Sequence, residues 1–280
     1  MAIREYLRPA TVDQALTWLN QEAGRARIVG GGTDLALHPA PETTTLIDLA
    51  RTGLGEISAA DGTITIGATA TLTAVAEHPA IAAHLGGVIP AMLRHVGSPL
   101  LRNAATVGGH LARGRLSDVI PLFVALDASV SYFDGSGQET SLEDYYGAGI
   151  QHTRHILTAV HLPPPPDDGD AEFLRFSRTA FDVAMLNGAC VVGWDDDRVE
   201  RARVAIGERP GRGTRIRAAE AVLEGEPLDE ARIARCAQTA QEMVDVDGDS
   251  RASARYRRHL TSITVRRCLA AIATRRGDGR

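Results

Sequence analysis

Four consecutive prolines, Pro163 to Pro166, followed by the acidic stretch Asp167 to Asp170, constrain this 280-residue chain more than any other feature. Proline has no backbone N–H and a fixed φ, so neither a helix interior nor a central strand can run through the four. They form a semi-rigid spacer and mark the clearest domain boundary in the chain. After the break the pattern predicts three antiparallel strands, at 172–178, 186–194 and 198–206, with Asp195, Asp196 and Asp197 turning the last two. Helices follow at about 215–224, 229–244 and 252–275. Strands and then helices in separate runs indicate an α+β arrangement.

Before the break, helix and strand signals alternate. Thr11 and Gln14 have capping-box spacing, and Val12, Ala15, Leu16 and Leu19 form an apolar stripe, which predicts a helix over 11–22. Short strands are expected at 25–29 and 45–49. Asp61-Gly62 between two strand-like runs, 56–60 and 63–68, is a type I′ hairpin signal. Helical segments broken at Pro79, Gly86-Gly87 and Pro90 fill 71–95. A loop region with Gly and Arg covers 97–116, and a helix with a buried face covers 117–127. Strands are expected at 130–133 and 156–162.

Composition removes several classes. All 30 basic residues are Arg, so a Walker A loop, a Schiff-base cofactor site and a protein-kinase site each lack the lysine they need. The net charge of −5 offers no field for a phosphate backbone, so nucleic acid is not an expected partner. No apolar run reaches membrane-spanning length, and the charged N-terminal stretch does not read as a signal peptide. Cys190, Cys236 and Cys268 are odd in number and widely spaced, which speaks against a disulfide framework or a cluster site. A cytoplasmic protein is expected.

Two glycine segments are candidate sites. In the first, Ile28 and Val29 end a strand and lead into Gly30-Gly31-Gly32, then Thr33, Asp34 and Leu35. Glycines let backbone amides approach a diphosphate and tolerate positive φ. Leu35 stands where a Rossmann fingerprint needs its third glycine, so this is a different kind of loop. A plain tight turn accounts for such a run about as well. The second, Thr106-Val107-Gly108-Gly109-His110, follows the same logic of a hydroxyl and paired glycines with free amides. Two such segments can grip a dinucleotide's diphosphate from two sides.

In order and spacing, VGGGTDL, LRNAATVGGHLA, SDVIPLFVALDA and the C-terminal SARYRRHLTSITVRRCL resemble the motifs of the FAD subunit of molybdenum hydroxylases, the xanthine dehydrogenase and carbon monoxide dehydrogenase family. The resemblance runs from Tyr6 to about Ala271. It implies an α+β fold: a PCMH/VAO-like FAD-binding domain over 1–163, with sub-domains at about 1–54 and 55–163, then an α+β C-terminal domain over 170–280. It implies FAD as cofactor, its diphosphate held by residues 28–35 and 106–110. Asp118 would contact the cofactor, Leu157 would lie against the flavin ring, and Arg175 would supply positive charge near it. Electrons would come from iron–sulfur clusters of a molybdenum hydroxylase and pass to NAD, a quinone or dioxygen. A molybdopterin-binding large subunit and a 2Fe-2S small subunit would be separate chains. The sequence departs from the family's pattern at His110, where Asn or Ser is usual. It departs again in a segment to Asp118 about one residue short, and at Arg113 and Arg115, where small residues and a proline are expected.

Other features read as structural. His152, His155 and His161 lack a Cys or carboxylate to complete a metal site. Asp245, Asp247 and Asp249 lack the glycine position and closing Glu of a calcium loop. The arginines of the last helix read as a solvated face, with a partner-facing role as a second possibility. Ser98 and Ser136 lack a nucleophile-elbow context. No catalytic residue and no metal ligand is assigned. The departures also admit a stand-alone flavoenzyme acting on a small molecule, or a scaffold subunit without flavin.

Overall fold

The computed structural model describes residues 3–22, 24–38, 40–180, 182–207 and 213–278. They fall into two compact units. The first comprises residues up to His78, Gly97–Arg113 and Ala128–Pro163; the second comprises Pro79–Val96, Gly114–Asp127 and the chain from Pro164 onward.

The first unit contains two sheets. Strands β1 (Glu5–Leu7), β2 (Ala26–Val29) and β3 (Thr45–Asp48) form a parallel sheet in the order β1-β3-β2. The helix Val12–Gln21 covers it, burying Ala15 and Leu16 among Ile47, Leu49 and Ile156. Thr11 caps this helix by accepting from the Gln14 amide at 3.2 Å, and Gln14 Oε1 accepts from the Ala10 amide at 2.8 Å. The second sheet is antiparallel: β4 (Ile57–Ala60), β5 (Thr63–Gly67), β6 (Ser129–Phe133), β7 (Gly137–Ser141) and β8 (Ile156–Leu162), in the order β4-β5-β8-β6-β7. Asp61 and Gly62 have φ of 50° and 77°, as the type I′ turn of the β4–β5 hairpin requires. Ile64 and Ile66 alternate inward along β5, as the alternating pattern predicts. His161 is hydrogen-bonded to Thr65 at 3.0 Å and Ser131 at 2.7 Å, so it ties three strands of this sheet together.

The second unit is built on an antiparallel sheet of four strands, not the three expected: β9 (Gly169–Phe176), β10 (Leu186–Asp195), β11 (Arg198–Gly207) and β12 (Gly213–Arg215), in the order β12-β11-β10-β9. The added strand is three residues long and contains Gly213 and Arg215, too short to display an alternating pattern; its pairing with Ala205–Gly207 is a tertiary fact. Strand β10 is buried on both faces. The helix Ala254–Asp278 packs on it, and so does the fully buried helix Val119–Ala125. That double cover explains why its sequence from Gly188 to Trp194 is apolar rather than alternating.

Cys190, Cys236 and Cys268 are free and buried in this unit's core beside Val192, Val204 and Leu269. The helix Glu230–Met243 completes that core with Ile233, Ala237 and Ala240. The arginines of the last helix do not form a uniform solvated face. Arg257 is fully buried; its guanidinium donates to the Met185 carbonyl at 3.0 Å and pairs with Asp249 at 2.7 Å. Arg275 pairs with Asp170 at 2.8 Å and Glu172 at 2.6 Å, which fastens the end of the helix to β9. Asp249 is thus spent on Arg257 and on the Arg251 amide, and no group of residues suited to hold a metal ion occurs among the described residues. No helix among the described residues is long and apolar enough to cross a membrane.

Candidate cofactor site

The first glycine segment leaves the end of β2 and turns at Gly32, whose φ is +70°. The turn is closed by the Ala36 amide donating to the Gly32 carbonyl at 2.9 Å and the His38 amide donating to the Asp34 carbonyl at 2.8 Å. Between these points the backbone is open: none of the six amides from Gly30 to Leu35 donates to another described residue. Successive unpaired amides in a tight turn form an anion-binding concavity. They are costly to leave without an acceptor unless water or a ligand supplies one.

These glycines are also enforced by their neighbours. A Cβ on Gly31 would lie 1.6 Å from the Ala104 carbonyl oxygen, and one on Gly30 would lie 2.5 Å from Thr106 Oγ1. The chain leading into the second segment therefore presses directly against the first.

The second segment is not a loop. Residues 97–116 contain two short helices, Pro99–Arg102 and Val107–Arg113, and Thr106 to His110 forms the start of the second. From Val107 to His110 its amides are not free. Val107 donates to the Ala70 carbonyl at 3.0 Å, Gly108 to the Ala68 carbonyl at 2.9 Å and Gly109 to Thr106 Oγ1 at 3.1 Å. His110 donates to the Thr106 carbonyl at 3.1 Å. Gly108 is glycine because a Cβ would sit 2.6 Å from the Ala68 carbonyl and 2.7 Å from its methyl. The expectation of open amides in this segment is corrected: the residue types suit a loop, but the 68–70 backbone and Thr106 take up the donors from Val107 to His110.

Both segments line one cavity of about 600 Å³ within the first unit. That volume lies inside the range of small-molecule and cofactor sites. Ile28 through Leu35, Thr106, Gly108, Gly109, His110 and Leu157 all border it. Val107 is fully buried behind the wall. Asp118 and Arg175 belong to the second unit and are paired there at 3.3 Å, both nearly buried. Asn187 donates to Asp118 at 2.6 Å, and Arg175 donates to the His95 carbonyl at 3.1 Å. Burial pushes the Asp118 carboxyl up, against the pull of Arg175 and Asn187.

The cavity wall includes residues that the sequence reading gave other roles or passed over. His155 and Tyr145 both line it and are hydrogen-bonded at 2.9 Å, with their rings edge to face. Desolvation holds the His155 pKa below its ordinary value and raises that of the Tyr145 phenol. His155 lies immediately before β8, two residues from Leu157, and no strand periodicity marks it. Tyr145 carries no such signal, because a helix brings it in from elsewhere in the chain.

Arg113 also lines the cavity, and its guanidinium pairs with Asp34 at 2.9 Å, one residue from each glycine-bearing element. Asp34 is hydrogen-bonded to His38 Nδ1 at 3.2 Å as well. His110 is partly buried. Desolvation, reinforced by the charge of Arg113 and opposed by Asp34, pushes its pKa down to about 4, so it is neutral at pH 7.

These features fit a dinucleotide carrying a diphosphate. The cavity has the room, one wall has a run of open amides, and cationic and apolar side chains stand nearby. Residues 2–165 match the family model described as the FAD binding domain in molybdopterin dehydrogenase, and residues 171–272 match the CO dehydrogenase flavoprotein C-terminal domain. The chain is 29% identical to the nicotine 6-hydroxylase medium subunit of Paenarthrobacter nicotinovorans, covering 98% of both chains. It is 26% identical to the putative xanthine dehydrogenase FAD-binding subunit of Escherichia coli K12, covering 94% of both. In fold it is similar to a chain of carbon monoxide dehydrogenase from Hydrogenophaga pseudoflava, with a TM-score of 0.91, 24% identity and 98% of both chains covered. The chain belongs to the FAD-binding subunit family of the molybdenum hydroxylases, and FAD is its cofactor.

Proposed function

We infer that this chain is the electron-carrying flavoprotein of a multi-chain molybdenum hydroxylase. Through its FAD it takes electrons from 2Fe-2S clusters on a small partner chain, which receives them from a molybdopterin-binding large chain. It passes them to an acceptor such as NAD, a quinone or dioxygen. FAD supplies the redox chemistry; the protein binds it, orients it and sets its surroundings. The six open amides from Gly30 to Leu35 in a cavity of about 600 Å³ carry this reading.

In this reading those amides hold the cofactor's diphosphate, with the Thr33 hydroxyl beside them. Ile28 and Val29 form the base of the site. Thr106, Gly108, Gly109 and His110 form the opposite wall, with Val107 packed behind them. Leu157 offers the apolar surface for the flavin ring. Asp118 and Arg175 hold one another within the second unit. The three cysteines are buried in a hydrophobic core, where they cannot ligate a cluster, so the clusters are assigned to a partner. Reduced, buried cysteines are also in keeping with a cytoplasmic location. The relatives named as medium subunits match this chain nearly end to end, which supports a division of labour among separate chains.

The test is anaerobic mixing of substrate with the reconstituted three-chain complex and with this chain alone, following flavin absorbance. Bleaching only in the complex, after cluster reduction, is the expected result. Direct bleaching of the isolated flavoprotein by substrate would replace this reading with a stand-alone flavoenzyme.

A further inference from the structure

The second glycine segment spends its amides on residues 68–70 and on Thr106, so it has little backbone left for an anion. What the Val107–Arg113 helix does bring to the cavity is the guanidinium at its end. Arg113 lines the cavity, is mostly buried, and pairs with Asp34 at 2.9 Å, inside the run of open amides. A guanidinium is a rigid planar fork of donors, so pairing with a carboxylate fixes its orientation at the cavity wall. The other arginines on the wall are held by partners outside the two glycine segments. Arg27 is tied to Glu42 at 2.7 Å and to the Gly24 carbonyl, and Arg154 reaches the Asn20 carbonyl at 3.4 Å.

We propose that Arg113, held in place by Asp34, is the cationic contact for the cofactor's diphosphate and takes the part that open amides of the second segment would have played. The proposal rests on the assignment of the diphosphate to the Gly30–Leu35 amides. His110 is neutral at pH 7 and does not compete for this role. Asp34, by contrast, sets a carboxylate beside the anion, and its function is to aim Arg113 rather than to bind.

The experiment titrates the full apo chain with FAD and, separately, with ADP, which carries the diphosphate without the flavin, at low and high salt. Wild type is compared with R113M, R113K and D34N. R113M is expected to weaken both ligands about 10- to 100-fold, the loss of a charge-assisted contact, and to flatten the salt dependence of binding. R113K keeps the charge, and so keeps the salt dependence, but loses part of the affinity. D34N keeps the side-chain oxygen that accepts from Arg113 and removes the like charge beside the diphosphate, so it binds at least as tightly as wild type. Far-ultraviolet circular dichroism establishes that each variant is folded, and R113K carries the test if R113M is not. Wild-type affinity and salt dependence in R113M, with wild type binding both ligands, would overturn the role of Arg113. A large loss in D34N beside an unchanged R113M would do the same. If wild type binds neither FAD nor ADP, the assignment of the diphosphate to this cavity fails first.

Discussion

The two glycine segments look alike in sequence, a hydroxyl residue beside consecutive glycines, yet they differ in what their backbones do. From Gly30 to Leu35 the amides are open and the residues line a cavity; from Val107 to His110 every amide has a protein acceptor. In the first, glycine is required because the Ala104 carbonyl and Thr106 press against the turn. In the second, it is required because a helix start lies flat on Ala68. Consecutive glycines thus report that something comes close, without saying whether it is a ligand or the protein's own chain. The supply of free donors tells the two apart, and only the folded backbone sets that supply.

Substitutions sharpen the contrast. The largest effect is expected for Gly31→Ala, whose Cβ would fall 1.6 Å from a carbonyl oxygen. Backbone must move, at a cost of about 3 kcal/mol or more, read by chemical denaturation. FAD affinity should fall with it, because the same displacement disturbs the open amides. Gly108→Ala meets Ala68 at 2.6 Å and should cost about 1–3 kcal/mol. At temperatures where the variant remains folded it should retain near wild-type FAD affinity, since the Gly108 amide is already spent. A loss of FAD binding as large as that of Gly31→Ala would break the distinction.

The pH dependence of stability offers a second probe. His110 has a folded pKa of about 4 against an ordinary value of 6.5, so between those values the unfolded chain binds more protons than the folded one. Stability should therefore fall as pH drops from about 6.5 toward 4, by about 1–3 kcal/mol. His110→Asn should flatten that part of the profile in denaturation measured at several pH values. An unchanged slope would show that His110 is not held neutral in the folded chain.

The smallest expected effect is that of Thr106→Ala, which removes the acceptor for the Gly109 amide at about 1 kcal/mol. In the Gly30→Ala background the same change should help rather than harm, because it removes the Oγ1 that the new methyl would strike at 2.5 Å. A double-mutant cycle with no coupling would mean that the two segments do not touch as described.

Much of this was legible in the residues. The Thr11 cap, the Asp61-Gly62 turn and the alternation of Ile64 and Ile66 are local signals, each fixed by a few neighbouring side chains and backbone angles. The motif order carried the family, and the family carried the cofactor. The short strand Gly213–Arg215 was not legible, because three residues show no period and its partner is the end of β11. The burial of Arg257 was hidden as well: an arginine among arginines on a helix gives no sign that Met185 and Asp249 wait inside.

By itself, then, the sequence determined where most helices start and where turns fall, since propensity and steric freedom are properties of short segments. Tertiary structure alone decided which amides stay open. A donor's availability depends on whether a distant carbonyl, here that of Ala68 or Ala70, reaches it first. The same holds for the pairing of Asp34 with Arg113 and of Tyr145 with His155. Each joins elements whose spacing in the chain says nothing of their separation in space.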